Sequence, residues 1–263
     1  MIMKKILLIL IIIVSGNLSA QVKAVDFKGI WLTTDQMGYY YEIDDTEIKK
    51  YTKNGDLDCS YSNNVLGVIA NVDVTNPQKV LVYFRDFTKI LILDNTLSPT
   101  SDVIDLTDLE LDETTLVCRS YNNGTWYYDP VRFELIRKDQ ELITTNTSGN
   151  IANLLNKNIQ TNFLVEYNNR VYLNDKSLGI FVFDNYGTYL KTLPITGLSS
   201  FQIKEKQLVY CNTNSQVETY DFFTLEIAQF KPLEYNSVLQ VRVENNTIFI
   251  VDKNHHLFID KIK

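Results

Sequence analysis

Short apolar stretches, separated by breaks rich in Asp, Asn, Lys and Gly, run along almost the whole chain. In G-I-F-V-F-D-N-Y-G-T-Y-L-K-T-L (179–193), a strand-like run meets D-N-Y-G and a second alternating run follows. Related phrases are T-K-I-L-I-L-D-N-T-L-S-P-T-S-D-V-I-D-L (88–106) and S-Q-V-E-T-Y-D-F-F-T-L-E-I-A-Q-F (215–230). Period-two alternation bounded by turn residues is the pattern of a strand, and a short continuous apolar run fits a strand buried on both faces. Such phrases begin at Thr46, Thr88, Pro130, Leu178, Ser215 and His255, at steps of 42, 42, 48, 37 and 40 residues. Two further short strands precede them, as in F-L-V-E-Y-N-N and R-V-Y-L-N-D before Leu178. The unit is four antiparallel strands in roughly 40 residues, the size of a β-propeller blade.

The expected fold is therefore all-β: a six-bladed β-propeller with four antiparallel strands per blade. After H-H-L-F-I-D-K-I-K (255–263) no fourth strand follows, whereas Q-V-K-A-V-D-F (21–27) precedes the first blade as a spare strand. The ring is expected to close by placing that N-terminal strand in the last blade, which removes an open edge. Asp94, Asp184 and Asp221 stand where third strands end. They read as turn formers whose carboxylates accept from amides two residues on, with Gly187 supplying a left-handed position.

The stretch N-N-R-V-Y-L-N-D-K-S-L-G-I-F-V-F-D-N-Y-G-T-Y-L-K-T-L (168–193) resembles a blade of the NHL and YWTD-like six-bladed propellers. At the level of architecture the resemblance covers 21–263. It implies the fold, and propellers host many functions.

Composition adds an address. M-I-M-K-K, an apolar run from Ile6 to Val14, and S-G-N-L-S-A form the three parts of a secretory signal peptide, with cleavage expected after Ala20. The apolar run is shorter than the roughly 20 residues a spanning helix needs. The first Cys is Cys59, so no cysteine follows the cut to take a lipid. Two domains result: a signal peptide at 1–20 and the propeller at 21–263. Losing Lys4 and Lys5 leaves 23 basic residues against 32 acidic, a net charge of −9. That charge argues against nucleic acid and against docking on an anionic membrane face. The S-A-Q boundary and the Lys, Asn, Ile and Tyr content resemble exported Bacteroidetes proteins, which implies the periplasm or the periplasmic face of the outer membrane.

Signs of catalysis are sparse. The two histidines, His255 and His256, are neighbours, and neighbours in a strand point to opposite faces. Zinc needs three or four N or S ligands in one place, and a Ser-His-Asp set needs its members in contact. Cys59, Cys118 and Cys211 fall in blades one, three and five, too far apart for the roughly 7 Å that a disulfide spans. Three unpaired, mostly buried thiols are expected. Phosphate-binding glycine motifs are absent. Resemblance to lactonase propellers, which hold calcium in the central channel with Glu, Asn and Asp, would make Asp35, Asn71, Glu166 and Glu244 channel candidates, although no local motif surrounds them. Tyr39, Tyr40 and Tyr41 read as core. Arg119, Trp126 and Tyr128 follow or flank a loop signal and are the expected partner-facing patch.

The expected function is a non-enzymatic protein-interaction propeller of the cell envelope, without cofactor or metal. The expected partner is a protein in an envelope complex, such as an outer-membrane or type 9-like secretion assembly, with no nucleic acid and no membrane insertion of the mature chain. The alternatives are a metal-dependent, lactonase-like hydrolase using the channel, or a periplasmic sugar- or peptide-binding propeller. The last would show a large apolar channel lined by aromatics.

Overall fold

The structure, a computed structural model, describes residues 23–230, 235 and 237–262. The expected signal peptide at 1–20 lies outside the described residues. The chain forms six four-stranded antiparallel sheets arranged in a ring. Their innermost strands are Trp31–Thr34, Ile69–Asp73, Leu116–Arg119, Thr161–Tyr167, Phe201–Lys204 and Val238–Glu244, which begin blades 1 to 6 in that order. Blade 6 is completed by Lys23–Asp26, antiparallel to His256–Lys261, with Lys23 opposite Ile259 and Asp26 opposite His256. Phe27 N donates to His255 O at 2.8 Å to extend this closure. Among the described residues no helix is long and apolar enough to cross a membrane.

The burial pattern explains why the middle strands read as unbroken apolar runs. Val80–Phe84 and Thr247–Asp252 are buried at every position, because both faces of a blade's middle strands meet a neighbouring blade. Alternation then divides each strand between two junctions. Val80, Val82 and Phe84 join a cluster with Tyr41, Ile43 and Ile48 of blade 1, whereas Leu81 and Tyr83 join one with Val117, Tyr127 and Ile136 of blade 3. Six such clusters among the described residues fill the six junctions. Outer strands such as Ile227–Gln229 are short and exposed, which limits edge pairing.

A recurring turn produces the repeated phrase. Asp94 Oδ1 accepts from Thr96 N at 2.8 Å and Ser98 N at 2.9 Å. Asp184 Oδ1 accepts from Tyr186 N and Thr188 N, both at 2.9 Å. Asp35 and Asp252 repeat this two-and-four pattern, while Asp221 accepts from Phe223 N and Thr224 N. The residue three places after the Asp takes a positive φ: Gly187 at 89°, Gly38 at 89°, Leu97 at 59° and His255 at 60°. The irregular passage in blade 3 contains a tight turn at Tyr121–Asn123, and a short helix, Ile151–Leu155, lies in the linker to blade 4.

All three cysteines are free; Cys118 is buried, while Cys59 and Cys211 are half-buried rather than enclosed. Cys59 lies on an outer strand, where one face meets solvent, and Cys211 ends a strand.

Candidate functional site

The inner strands enclose an axial cavity of about 870 Å³. Each inner strand pairs with its own blade on one side only, so its other edge presents N–H and C=O groups that need partners. Side-chain amides supply several. Gln240 of blade 6 accepts from Leu32 N at 2.7 Å and donates to Ile30 O at 2.9 Å, both at the blade 1 edge. Gln202 of blade 5 accepts from Val243 N at 2.7 Å and donates to Val243 O at 3.0 Å. Asn162 of blade 4 donates to Leu198 O at 3.3 Å and Ser199 O at 2.8 Å, ahead of blade 5. Asn71 of blade 2 donates to Val117 O of blade 3. An amide carries a donor and an acceptor in nearly the geometry of a peptide group, so each extends its neighbour's edge and fixes one blade to the next.

Carboxylates tie the same strands together. Glu166 of blade 4 accepts from Ser120 Oγ at 2.6 Å, Trp126 Nε1 at 2.7 Å and Tyr121 N at 3.2 Å, all from blade 3. Asp73 of blade 2 accepts from Arg119 N at 2.8 Å. Glu244 joins three blades: Thr34 Oγ1 donates at 3.1 Å, Gln202 Nε2 at 2.7 Å, and Lys204 Nζ pairs with it at 2.6 Å. Burial pushes the Glu244 carboxyl above its ordinary pKa, opposed by Lys204 and by the Thr34 and Gln202 hydrogen bonds. Asp35 accepts from Met37 N, Tyr39 N and Tyr41 Oη.

Asp35, Asn71, Glu166 and Glu244, named from the sequence as channel candidates, all line this cavity. The three carboxylates accept from protein donors, and the Asn71 amide nitrogen donates to Val117 O. Among the described residues no three His, Cys, Asp or Glu side chains converge as a metal site would require. His255 and His256 lie on the Asp252 turn of blade 6, outside the cavity lining, with His256 Nδ1 3.4 Å from Asp252 Oδ2.

The expected partner-facing patch requires correction. Trp126 is 0% and Tyr128 1% exposed, and both belong to the cluster between blades 3 and 4. The indole N–H of Trp126 is satisfied by Glu166, so the ring can be buried whole. Arg119 is also buried and lines a second cavity, of about 330 Å³, with Thr75, Ser120, Tyr121 and Glu166. Burial lowers the pKa of its guanidinium, and the charge of Asp73 works against that shift. Tyr40 and Tyr41 are buried and Tyr39 half-buried; Tyr40 stacks on Tyr51 at 4.9 Å.

The amide pairings escape a residue-by-residue reading. A signal for them does exist: aligned inner strands place Asn or Gln beside apolar residues in A-N-V, T-N-F, F-Q-I and L-Q-V.

No family profile matches the chain, and no curated protein matches it. Solved structures do. A Bacteroides thetaiotaomicron structural genomics protein of unknown function has TM-score 0.67 at 11% identity, covering 89% of this chain and 70% of that one. Streptogramin B lyase has TM-score 0.58 at 12% identity, covering 92% and 88%. The Neurospora crassa Pan2 WD40 domain has TM-score 0.55 at 8% identity, covering 87% of each chain. These likenesses establish the β-propeller fold. At such identities they carry no activity.

Proposed function

We propose that the protein is a non-enzymatic interaction propeller of the bacterial cell envelope, exported by its N-terminal segment and docked on a protein partner. The carrying observation is where the exposed apolar side chains stand. Ile30 and Val65 lie in linkers between blades, Leu154 in the helix between blades 3 and 4, and Phe87 and Val131 in turns between second and third strands; all are exposed. Antiparallel alternation puts these connections at one end of the ring, where the inner strands begin. At the opposite side Met37 is exposed on an inner hairpin, whereas Ile143, Tyr186, Phe223 and Leu225 sit on outer hairpins at the rim. Grouped apolar side chains on an otherwise charged surface mark a protein-docking face. The acidic balance of the chain disfavours nucleic acid as the partner. An outer-membrane or type 9-like secretion assembly fits the expected export.

The test is purification of the tagged protein from gently solubilised envelope, beside the double variant V65D/F87D. The expected result is a stoichiometric envelope protein with the wild type and its loss with the variant, both forms remaining folded. A lone wild-type monomer, or a partner retained by the variant, would overturn the reading.

A further inference from the structure

The axial cavity is lined by one half-buried charge whose hydrogen-bonding capacity is largely unspent. The lining carboxylates Asp35, Asp73, Glu166 and Glu244 each accept from fixed protein donors. Lys204 is paired with Glu244, and Lys253 is exposed at the edge. Arg242, on the inner strand of blade 6, differs. Its guanidinium makes one hydrogen bond among the described residues, Nη1 to Val241 O at 3.0 Å, and no ion pair within 4.0 Å. A guanidinium carries five N–H donors, so most have no protein acceptor. The surrounding protein pushes its pKa down to about 10, against the pull of Glu244, and it stays charged at neutral pH. Arg242 is half-buried, and a guanidinium with spare N–H donors at the cavity wall is a ready partner for a bound anion.

We propose that the axial cavity binds a small monocarboxylate with an apolar body, its carboxylate paired with the Arg242 guanidinium. The planar fork of Arg matches a carboxylate in a bidentate pair. Trp31, Val72, Phe163, Val165 and Val241 line the same cavity and offer apolar wall to the rest of the molecule. Its volume, about 870 Å³, lies in the range of small-molecule sites, roughly 300–1,000 Å³. The four lining carboxylates set the charge of the occupant: a dianion such as phosphate meets repulsion at several points, and a monoanion meets less. The cavity and the proposed docking face share Ile30 at the rim, but Arg242 and the apolar wall named above belong to the cavity and not to that face.

The chain has two tryptophans: Trp31 lines the cavity and Trp126 is fully buried elsewhere. A fluorescence change that is lost in W31F therefore reports the cavity at Trp31. The probes are 4-phenylbutyrate, its neutral amide 4-phenylbutyramide, and inorganic phosphate, each titrated to about 20 mM, a range that covers binding weaker than millimolar. The expected result is a saturable change with 4-phenylbutyrate, at least about tenfold weaker with the amide, absent with phosphate and absent in W31F. R242Q should weaken the acid by about tenfold or more and leave the amide unchanged, with circular dichroism showing the fold intact. If R242Q fails to fold, the acid-against-amide comparison on the wild type decides. An equal response to acid and amide, a response retained in R242Q, or no saturable response to the acid would overturn the proposal.

Discussion

Two glycines in nearly the same turn separate backbone strain from crowding. Gly38 follows Asp35 and Gly187 follows Asp184 by three residues; both have φ of 89°. Gly38 N donates to Asp35 O at 3.0 Å and Gly187 N to Asp184 O at 3.1 Å. Their surroundings differ. A Cβ on Gly38 would find nothing nearer than Asn245 Nδ2 at 3.8 Å. A Cβ on Gly187 would sit 2.7 Å from Thr147 O, 2.9 Å from Thr147 C and 3.1 Å from Ser148 N, all backbone of the neighbouring blade. A left-handed L-residue costs roughly 1–2 kcal/mol, and Ala recovers about 0.4–1 kcal/mol by restricting the unfolded chain. Gly38→Ala should therefore lose about 0.5–1 kcal/mol. Gly187→Ala adds an overpacking cost of about 1–3 kcal/mol, because the crowding atoms are backbone that cannot swing away, for a total of about 1.5–4 kcal/mol. Urea unfolding followed by far-UV circular dichroism measures both, with the slope m checked for constancy. Equal losses for the two variants would refute the reasoning, since the contact with blade 3 is the difference between them.

Gln202→Ala should cost about 1–3 kcal/mol in urea unfolding by leaving Val243 N and O without their partner. Gln202→Glu should be worse, because a carboxylate would face Val243 O and Glu244; a milder effect would argue against the amide's role as donor. Hydrogen bonds from Thr107 and Lys89 lower the Asp105 pKa to about 2, so its stabilisation is present above the ordinary carboxylate range and is lost as pH falls from about 4 to 2. The stability gap between wild type and Asp105→Asn should close over that window, and a gap constant with pH would contradict it. A thiol reagent should count three free thiols in denaturant, and in the native protein Cys118 should react slowest, because burial pushes its pKa far up. Fewer than three in denaturant would reveal a disulfide.

Architecture was legible because it is written in local chemistry. Asp184 and the amides it orders lie within four residues of one another, and the alternation of 179–184 is fixed by one strand's two faces. Blade closure was legible because it reduces to counting strands. The channel was legible only in part. Asp35, Asn71, Glu166 and Glu244 follow from being polar on inner strands, but their partners do not. Trp126 finds Glu166 forty residues on, and Gln240 finds Ile30 at a separation of 210. No local pattern distinguishes a Trp whose N–H has a buried acceptor from one that faces a partner, so Trp126 and Tyr128 read as surface anchors. Arg242 carries no flanking motif at all. Its isolation is a property of the assembled ring.

The closure of blade 6 also sets a clock on synthesis. Lys23–Asp26 is the earliest of the described strands to emerge, yet its partner His256–Lys261 is the latest. For nearly the whole of translation that first strand has no mate, while blades 1 to 5 can assemble in order behind it from contacts close in sequence. The final pairing must then gather the two ends of an almost complete ring. Deleting or weakening Lys23–Asp26 should therefore leave early assembly rates untouched and act on the last step, releasing a nearly formed molecule with one raw edge open to the equivalent edge of another copy.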